Sequence, residues 1–282
     1  MSHVLITAAE LAEALASPSD APPNSGKPPV VLDVRWRLAG PPGHGEYLTG
    51  HIPGAVYVDL DDELARHGDP TDGRHPLPDL DALQASARRW GIDPGDTVVV
   101  YDGEGNLAAA RAWWLLRWAG LSDVRLLDGA LPAWTAAGLE LATDDVVPAP
   151  GSVTLLAGAL PTLSVDDVQR YDGVLLDARA PERYRGETEP IDPLAGHIPG
   201  AVNLPTGGNL AADGTFLPAE TLRARFADAG ADGSAPIAVY CGSGVTAAHQ
   251  IAALAVAGLD AALYPGSWSQ WSNLGLPVAT DG

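Results

Sequence analysis

The heptapeptide Gly-His-Ile-Pro-Gly-Ala-Val occurs twice in this chain of 282 residues, at 50–56 and at 196–202. Further matching stretches accompany each copy in the same order: Val-Leu-Asp-Val-Arg at 31–35 with Leu-Leu-Asp-Ala-Arg at 175–179, and Val-Val-Tyr-Asp-Gly at 99–103 with Ala-Val-Tyr-Cys-Gly at 238–242. Two copies of roughly 130 residues are too few and too long for a solenoid. The sequence therefore predicts two tandem globular domains of one fold.

The two copies also indicate where the domains begin and end. Residues typical of turns and linkers lie between them, including Pro-Ala-Pro-Gly at 148–151, without a helical period. We therefore expect a first domain at 1–145, a linker at 146–161 and a second domain at 162–282.

Short apolar runs alternate with helix-forming stretches in both copies. The predicted strands are 30–32, 97–101, 125–127, 174–177, 237–240 and 262–264, and the predicted helices are 79–90, 108–119, 219–229 and 246–257. This alternation predicts an α/β fold in which each domain has a mostly parallel sheet with helices on both faces. Catalytic groups are then expected at the carboxyl ends of the strands.

The formal net charge is −20 at pH 7, which argues against nucleic acid and anionic membranes as partners. No stretch approaches the ~18 uncharged apolar residues of a membrane span. Residues 1–7 lack the basic start of a signal peptide. Since a single cysteine cannot form an internal disulfide, we expect a protein of the reducing cytoplasm.

That cysteine, Cys241, lies between a predicted strand and a predicted helix, in Cys-Gly-Ser-Gly-Val-Thr-Ala at 241–247. A tight strand-to-helix loop directs backbone N–H groups at its mouth and favours a thiolate there. A lone cysteine is otherwise most often a small buried hydrophobe. Two glycines and two hydroxyl residues in the next five positions favour a reactive site instead.

Three other kinds of site are not supported by this loop. A dual-specificity phosphatase needs Cys-x5-Arg, but Ala247 stands at the arginine position. A serine hydrolase needs Gly-x-Ser-x-Gly, but Cys241 stands two positions before Ser243. A metal site would need further ligands, and the seven histidines show no ligand spacing. We therefore expect neither a metal nor a cofactor.

With these parts the chain resembles the rhodanese family of sulfurtransferases over nearly its whole length. Each copy has the family's order of parts: a strand ending in Asp-x-Arg, the Gly-His-Ile-Pro-Gly-Ala loop, the strand before the active-site loop, and Gly-x4-Trp at 129–134 and 266–271. The loop at 241–247 is similar to that of the 3-mercaptopyruvate sulfurtransferase branch. Thiosulfate-preferring relatives tend to carry basic residues at the positions of Gly242 and Ser243.

The resemblance implies that Cys241 takes a sulfane sulfur from a small anionic donor, 3-mercaptopyruvate or thiosulfate, as a persulfide. A thiol or cyanide then accepts the sulfur, and a thioredoxin-like protein is one such thiol. The residues expected to bind around the persulfide are Gly242, Gly244, Val245 and Thr246. Thr246 is further expected to cap the following helix. The alternative is a persulfide relay or sensing module, which would show single-turnover transfer to a protein partner.

Because the donors are anions and the chain is acidic, positive charge must be concentrated locally. Arg179, Arg183 and Arg185 follow the strand that ends at Asp177, although they could simply pair with nearby glutamates on a solvated loop. In the family this loop borders the pocket. Both Arg179 and Arg183 are thus substrate-binding candidates, with Arg183 as the anion clamp and Arg179 more as a brace of the loop.

The resemblance also carries a histidine relay over to His51. Mercaptopyruvate relatives use a histidine of the first domain with the loop serine and an acidic residue, which would pair His51 with Ser243. The acidic member has no clear counterpart, since 37–50 contains only Glu46. A structural role for His51 stays open, and His197 is expected to bond its own loop.

Two departures matter, one between the two copies and one from the mercaptopyruvate enzymes. Asp102 stands in the first copy where the second has Cys241, so the first domain should be catalytically silent, as the family pattern implies. Some mercaptopyruvate enzymes carry another arginine downstream of the one matching Arg183, where this chain reads Pro-Ile-Asp at 190–192. This weakens the expectation for 3-mercaptopyruvate and leaves thiosulfate open.

Overall fold

The computed structural model describes residues 4–16, 27–38 and 40–280. Residues 1–3, which belong to the stretch searched for a signal peptide, lie outside the described residues. The chain forms two compact units, and neither is continuous in sequence. Unit 1 comprises Met1–Leu64, Pro78–Ala159 and Leu210–Phe216, and unit 2 comprises Ala65–Leu77, Leu160–Asn209 and Leu217–Gly282.

These units differ from the expected domains at the linker, of which residues 146–159 fall in unit 1, and at two further segments. Ala65–Leu77 falls within the expected first domain but packs in unit 2, and Leu210–Phe216 falls within the expected second domain but packs in unit 1. A sequence repeat reports which strands and loops match between copies. A segment without a counterpart in the other copy packs according to its tertiary contacts. The repeat gives no information about those contacts.

Unit 1 is built on a parallel sheet of five strands in the order β1-β5-β4-β2-β3. The strands are β1 (Leu5–Ile6), β2 (Val30–Asp33), β3 (Val56–Tyr57), β4 (Val98–Tyr101) and β5 (Val124–Leu127). The helices are α1 (Ala8–Leu15), α2 (His44–Tyr47), α3 (Leu60–Glu63), α4 (Leu80–Arg89), α5 (Ala109–Trp118) and α6 (Ala130–Ala136). The central strand β4 is wholly buried and apolar, as strands covered on both faces are.

Unit 2 repeats this plan with a parallel sheet of four strands in the order β7-β6-β8-β9. The strands are β6 (Val174–Asp177), β7 (Val202–Asn203), β8 (Ile237–Tyr240) and β9 (Ala262–Leu263). The helices are α7 (Val165–Val168), α8 (Pro181–Tyr184), α9 (Ala219–Asp228), α10 (Thr246–Val256) and α11 (Ser267–Asn273), with 3₁₀ turns at Pro70–Asp72 and Thr206–Asn209. A single parallel bridge from Thr162 to Leu263 stands where unit 1 has β1.

The α/β fold with a parallel sheet and flanking helices in each unit is confirmed. Every predicted strand and helix is present, with each end within one residue of its expected position. The prediction omitted β1, β3 and β7, which have two residues each and are too short to show a period. Among the described residues, no helix is both long and apolar enough to cross a membrane.

A buried tyrosine ties the repeated heptapeptide to the sheet in each unit. The hydroxyl of Tyr101, the last residue of β4, accepts a hydrogen bond from Ile52 N at 3.0 Å. The hydroxyl of Tyr240, the last residue of β8, accepts one from Ile198 N at 3.2 Å. In each unit this hydrogen bond fixes the Gly-His-Ile-Pro-Gly loop to the end of the central strand.

Candidate active site

Cys241 follows β8 directly, at the carboxyl edge of the sheet of unit 2. The strand reads Ile-Ala-Val-Tyr and is buried throughout, and α10 begins five positions after the cysteine, at Thr246. The amino end of this 11-residue helix carries unpaired N–H groups and a partial positive charge. The thiol thus lies in the field that the strand-loop-helix pattern predicted.

The first turn of α11 anchors the cysteine loop from the other side. Trp268 N donates to Cys241 O at 3.0 Å, and Ser269 N donates to Gly242 O at 2.9 Å. Cys241 N in turn donates to Ser267 Oγ at 3.2 Å. The backbone on both sides of the sulfur is therefore fixed, and Cys241 itself is only 2% exposed.

The loop curls back over the sulfur at Gly244. Gly244 N donates to Cys241 Sγ at 3.2 Å, with a φ of +79° that favours glycine. The expectation that Thr246 caps α10 is wrong, because the N-cap residue is the buried Val245 and no side chain caps the helix. Without a side-chain cap, the helix N–H groups stay available to a group at the loop mouth.

The hydroxyl beside the cysteine is paired with a histidine that the sequence analysis did not consider. Ser243 Oγ and His75 Nδ1 share a hydrogen bond of 2.7 Å, and both residues are buried. The expected partner was His51. His75 belongs to Ala65–Leu77, the segment of the first half that packs in unit 2. It has no counterpart in the repeat, so the comparison of the two copies could not find it.

His51 and His197 make the same contacts in the two units. His51 Nδ1 bonds Tyr47 O at 3.0 Å and its ring stacks on Tyr47 at 4.0 Å between centroids. His197 Nδ1 bonds Tyr184 O at 2.8 Å and stacks on Tyr184 at 3.6 Å. Since unit 1 has no cysteine, a contact common to both units favours a structural role for each histidine.

Arg179 is likewise held by contacts that recur in unit 1. Its Nη2 donates to Asp177 Oδ2 at 2.6 Å and to Gly196 O at 2.7 Å. Arg35 Nη2 donates in the same way to Asp33 Oδ2 at 2.9 Å and to Gly50 O at 2.8 Å. This repeated arrangement favours Arg179 as a brace of the loop over Arg179 as a substrate-binding residue.

Arg183 lies next to the cysteine loop. Its Nη2 donates to Glu189 at 2.7 and 2.9 Å and lies 3.5 Å from Asp192 Oδ2. A Cβ atom built on Gly242 would lie 3.3 Å from Arg183 Nη1. Burial raises the pKa of Asp192, although Arg74 and Arg183 oppose the rise. Arg185 instead pairs with Glu187 on the surface.

Asp102 fills the equivalent loop of unit 1. Its two carboxylate oxygens accept four backbone N–H groups, from Glu104, Asn106, Ala108 and Ala109, at 2.7 to 3.1 Å. Burial raises the pKa of the Asp102 carboxyl, and these four donors oppose the rise. The loop geometry can therefore hold an anionic group at the end of the strand, and in unit 1 a fixed carboxylate occupies it.

If the first copy is catalytically silent, as expected from its Asp102, replacing Asp102 by asparagine should leave sulfur transfer within about twofold of the wild-type rate. The free energy of unfolding should fall by about 1–3 kcal/mol, since the amide nitrogen would face two backbone N–H donors. Rates with each donor and urea denaturation check the two parts. A loss of about 100-fold in rate would assign unit 1 a part in the chemistry.

No group of three or more His, Cys, Asp or Glu side chains in the described ranges could hold a metal ion. The candidate site consists of the Cys241 sulfur with the N–H of Gly244 donating to it, the Ser243–His75 pair and the nearby Arg183.

Comparison with known families gives one family whose model matches the chain twice and covers most of it. The Rhodanese-like domain matches residues 7–137 and again residues 164–274. The two matches correspond to the two copies of the repeat, and each includes one of the heptapeptides.

Individual relatives align over nearly the full length. A Mycobacterium tuberculosis protein, provisionally named thiosulfate sulfurtransferase SseB, is 52% identical over 276 residues, which cover 96% of this chain and 94% of the relative. The human 3-mercaptopyruvate sulfurtransferase is 34% identical, covering 96% of this chain and 92% of the relative.

Solved structures agree with these relatives. The 3-mercaptopyruvate sulfurtransferase of Leishmania major superposes with a TM-score of 0.84 at 29% identity, over 96% of this chain and 75% of that one. The 3-mercaptopyruvate sulfurtransferase SseA of Escherichia coli superposes with a TM-score of 0.77 at 31% identity, over 95% of this chain and 99% of that one.

Proposed function

Since the chain belongs to the rhodanese family of sulfurtransferases, we propose that it moves a sulfane sulfur from 3-mercaptopyruvate or thiosulfate, through a Cys241 persulfide, to a thiol or cyanide. One observation carries the proposal. Cys241 Sγ lies at the carboxyl end of β8 and receives the N–H of Gly244 at 3.2 Å, in a loop closed by the amino end of α10. A thiolate and a persulfide anion are both stabilised by such donors.

In the first half-reaction the Cys241 thiolate attacks the outer sulfur of thiosulfate or the thiol sulfur of 3-mercaptopyruvate, and a sulfur–sulfur bond forms. With thiosulfate, the donor's own sulfur–sulfur bond breaks and its electron pair leaves on sulfite. With 3-mercaptopyruvate, the carbon–sulfur bond breaks and its electron pair leaves on carbon as the enolate of pyruvate. The enolate then needs one proton to become pyruvate.

The Ser243–His75 pair supports the second of these routes. A hydroxyl bonded to an imidazole at 2.7 Å can donate to the ketone oxygen of 3-mercaptopyruvate as negative charge develops there, and it can relay the proton that the enolate needs. Thiosulfate has no carbonyl and forms no enolate. The pair therefore favours 3-mercaptopyruvate as a donor, with His75 in the role first expected of His51.

In the second half-reaction an acceptor thiolate or cyanide attacks the outer sulfur of the persulfide. The sulfur–sulfur bond breaks, and its electron pair returns to Cys241 as the thiolate, which gives ping-pong kinetics. We infer a small thiol or a thioredoxin-like protein as the thiol acceptor. Because Cys241 must return to the free thiol after each cycle, a reducing compartment such as the cytoplasm suits the reaction.

Steady-state kinetics with thiosulfate and 3-mercaptopyruvate side by side, with cyanide as acceptor, test the proposal. Intact-mass measurement after donor treatment should show one added sulfur, which cyanide removes. Both donors should load the protein, with the higher kcat/KM for 3-mercaptopyruvate. If neither donor adds a sulfur, the proposal fails.

Replacing Arg183 by alanine should cost about 2–3 kcal/mol in kcat/KM with either donor, the scale of a charge-assisted hydrogen bond. Arg183→Lys keeps the charge but loses the planar fork, so KM should rise while kcat changes less. Arg179→Ala is the matched comparison, and it should lower stability by leaving the buried Asp177 unpaired. A normal kcat/KM in Arg183→Ala together with a lost one in folded Arg179→Ala would exchange the two roles.

A further inference from the structure

The first turn of α11 binds the cysteine loop and the backbone next to His75 at the same time. Ser269 N donates to Gly242 O at 2.9 Å, and Ser269 Oγ accepts the backbone N–H of Arg74 at 2.7 Å. Gly242 precedes Ser243 in the chain, and Arg74 precedes His75. One buried residue, only 2% exposed, therefore binds the chain neighbours of both members of the Ser243–His75 pair.

These contacts close a ring of three hydrogen bonds. Two of its bonds are those that Ser269 makes, and the third is the 2.7 Å bond between Ser243 Oγ and His75 Nδ1. Each bond of a closed ring restrains the other two. The spacing between the Ser243 hydroxyl and the His75 imidazole is therefore set in part by Ser269, in the way that an outer group orients a reacting one.

The chain before His75 is tied to α11 at further points. Gln270 Nε2 donates to Thr71 O at 3.1 Å. Gly73 packs so closely that a Cβ atom built on it would lie 2.8 Å from Gly266 O, the residue before α11. The turn that precedes His75 is therefore held against one helix over several consecutive residues.

The matching helix of unit 1 lacks the polar groups that make these bonds. Both helices bind the end of the central strand through one backbone N–H, from Leu131 of α6 and from Trp268 of α11. They differ at the two positions that follow, which are Pro132 and Ala133 in α6 and Ser269 and Gln270 in α11. Proline has neither an N–H nor a hydroxyl, and alanine has no amide. The additional donors and acceptor thus occur in the copy that carries the cysteine.

We propose that Ser269, assisted by Gln270, is a positioning residue for the Ser243–His75 pair, and through that pair for sulfur transfer from 3-mercaptopyruvate. A hydroxyl stabilises a developing oxyanion and relays a proton only at the correct distance and angle, so that small displacements cost rate. Thiosulfate has no group that needs the pair. The inference rests on the proposed function, because it concerns the step in which the two donors differ.

The test is Ser269→Ala, which removes the Oγ acceptor but keeps the N–H that binds Gly242 O. The rate of persulfide formation at saturating 3-mercaptopyruvate should fall about 10-fold, the scale of one lost hydrogen bond. The rate at saturating thiosulfate should stay within about twofold of wild type. Ser272→Ala is the matched control, because Ser272 is buried in the same helix and its hydroxyl bonds Ser269 O within that helix. It should keep both wild-type rates.

A double variant separates positioning from a general loss of structure. If Ser269 acts through His75, Ser269→Ala should cause no further loss in a His75→Gln protein. A further loss there, or equal losses with both donors in Ser269→Ala alone, would show that Ser269 supports the whole loop and would overturn the inference. Wild-type rates with both donors in Ser269→Ala would overturn it as well.

Intact mass keeps the two proposals apart. A variant that gains one sulfur from thiosulfate leaves the proposed function standing, whatever its rate with 3-mercaptopyruvate. A wild-type protein that gains sulfur from neither donor ends the proposed function first.

Gln270→Glu keeps the inference testable if Ser269→Ala does not fold. Gln270 is only half-buried, and the change replaces the Nε2 donor to Thr71 O by an oxygen of nearly the same size. The rate with 3-mercaptopyruvate should fall about threefold, and the rate with thiosulfate should not change. Wild-type rates with both donors in Gln270→Glu would show that His75 does not depend on the bonds to α11.

Discussion

Replacing Cys241 by serine should remove sulfur transfer from both donors, with a loss of about 10⁴-fold or more, because a serine hydroxyl neither ionises at neutral pH nor holds a sulfane sulfur. The fold should remain, since the side-chain volume hardly changes. The anchoring bonds from Trp268 N to Cys241 O and from Cys241 N to Ser267 Oγ use backbone atoms of residue 241. Turnover and intact mass after donor treatment check the loss of transfer, and a thermal melt checks the fold.

Asp102→Asn is the matched comparison at the equivalent position of unit 1. It should keep both the rate and the sulfur adduct, whereas Cys241→Ser should lose both and melt near the wild-type temperature. Cys241 is the only cysteine of the chain, so no other thiol can take over. Retained turnover in a folded Cys241→Ser protein would refute the sulfurtransferase proposal.

Ser243→Ala should lower kcat for 3-mercaptopyruvate by about 100-fold or more, on the scale of one lost hydrogen bond to a developing oxyanion. The rate with thiosulfate should change little, because thiosulfate forms no enolate. His75→Gln should show the same selectivity, and the double variant should lose no more than either single one, since the two residues act as a unit. Steady-state kinetics of the four proteins with both donors give the comparison.

His51→Gln distinguishes the two histidines. His51 is buried against Tyr47, and its Nδ1 bonds the Tyr47 carbonyl, so its loss should reduce stability without selecting between donors. If His51→Gln reproduced the donor selectivity of Ser243→Ala and His75→Gln did not, the relay would run through His51 as first expected. Equal losses with both donors in Ser243→Ala would assign the hydroxyl a structural role in the loop.

The repeat made most of the fold predictable. Strands such as β4 and β8 are four-residue apolar runs of β-branched and aromatic residues, and helices such as α10 are rich in alanine. These are local properties, and local properties can be read along a chain. The place of Cys241 follows from the same logic, since it stands at the junction of one such strand and one such helix.

The polar partners of the cysteine loop were harder to predict. His75 and Ser243 are separated by 168 positions, and the His75 segment has no second copy to compare. The expectation for His51 came from the family resemblance, although the His51 motif recurs in both copies, and a contact shared by the unit with the cysteine and the unit without it favours a structural role. What differs between the copies, Cys241 against Asp102 and Ser243 against Glu104, indicates the chemistry better than what they share.

The exchanged segments have a consequence for biosynthesis and for truncation. Ala65–Leu77 is translated with the first half of the chain, but it packs in the unit that is completed only when β8, α10 and α11 exist. Because the amino-terminal part of a chain usually folds first during synthesis, this segment cannot pack in its unit until about 200 further residues have been made. A fragment cut at the linker would carry Cys241 without Arg74 and His75. The nucleophile comes from the second half of the chain and its polar neighbours come from the first, so neither half alone contains the complete site.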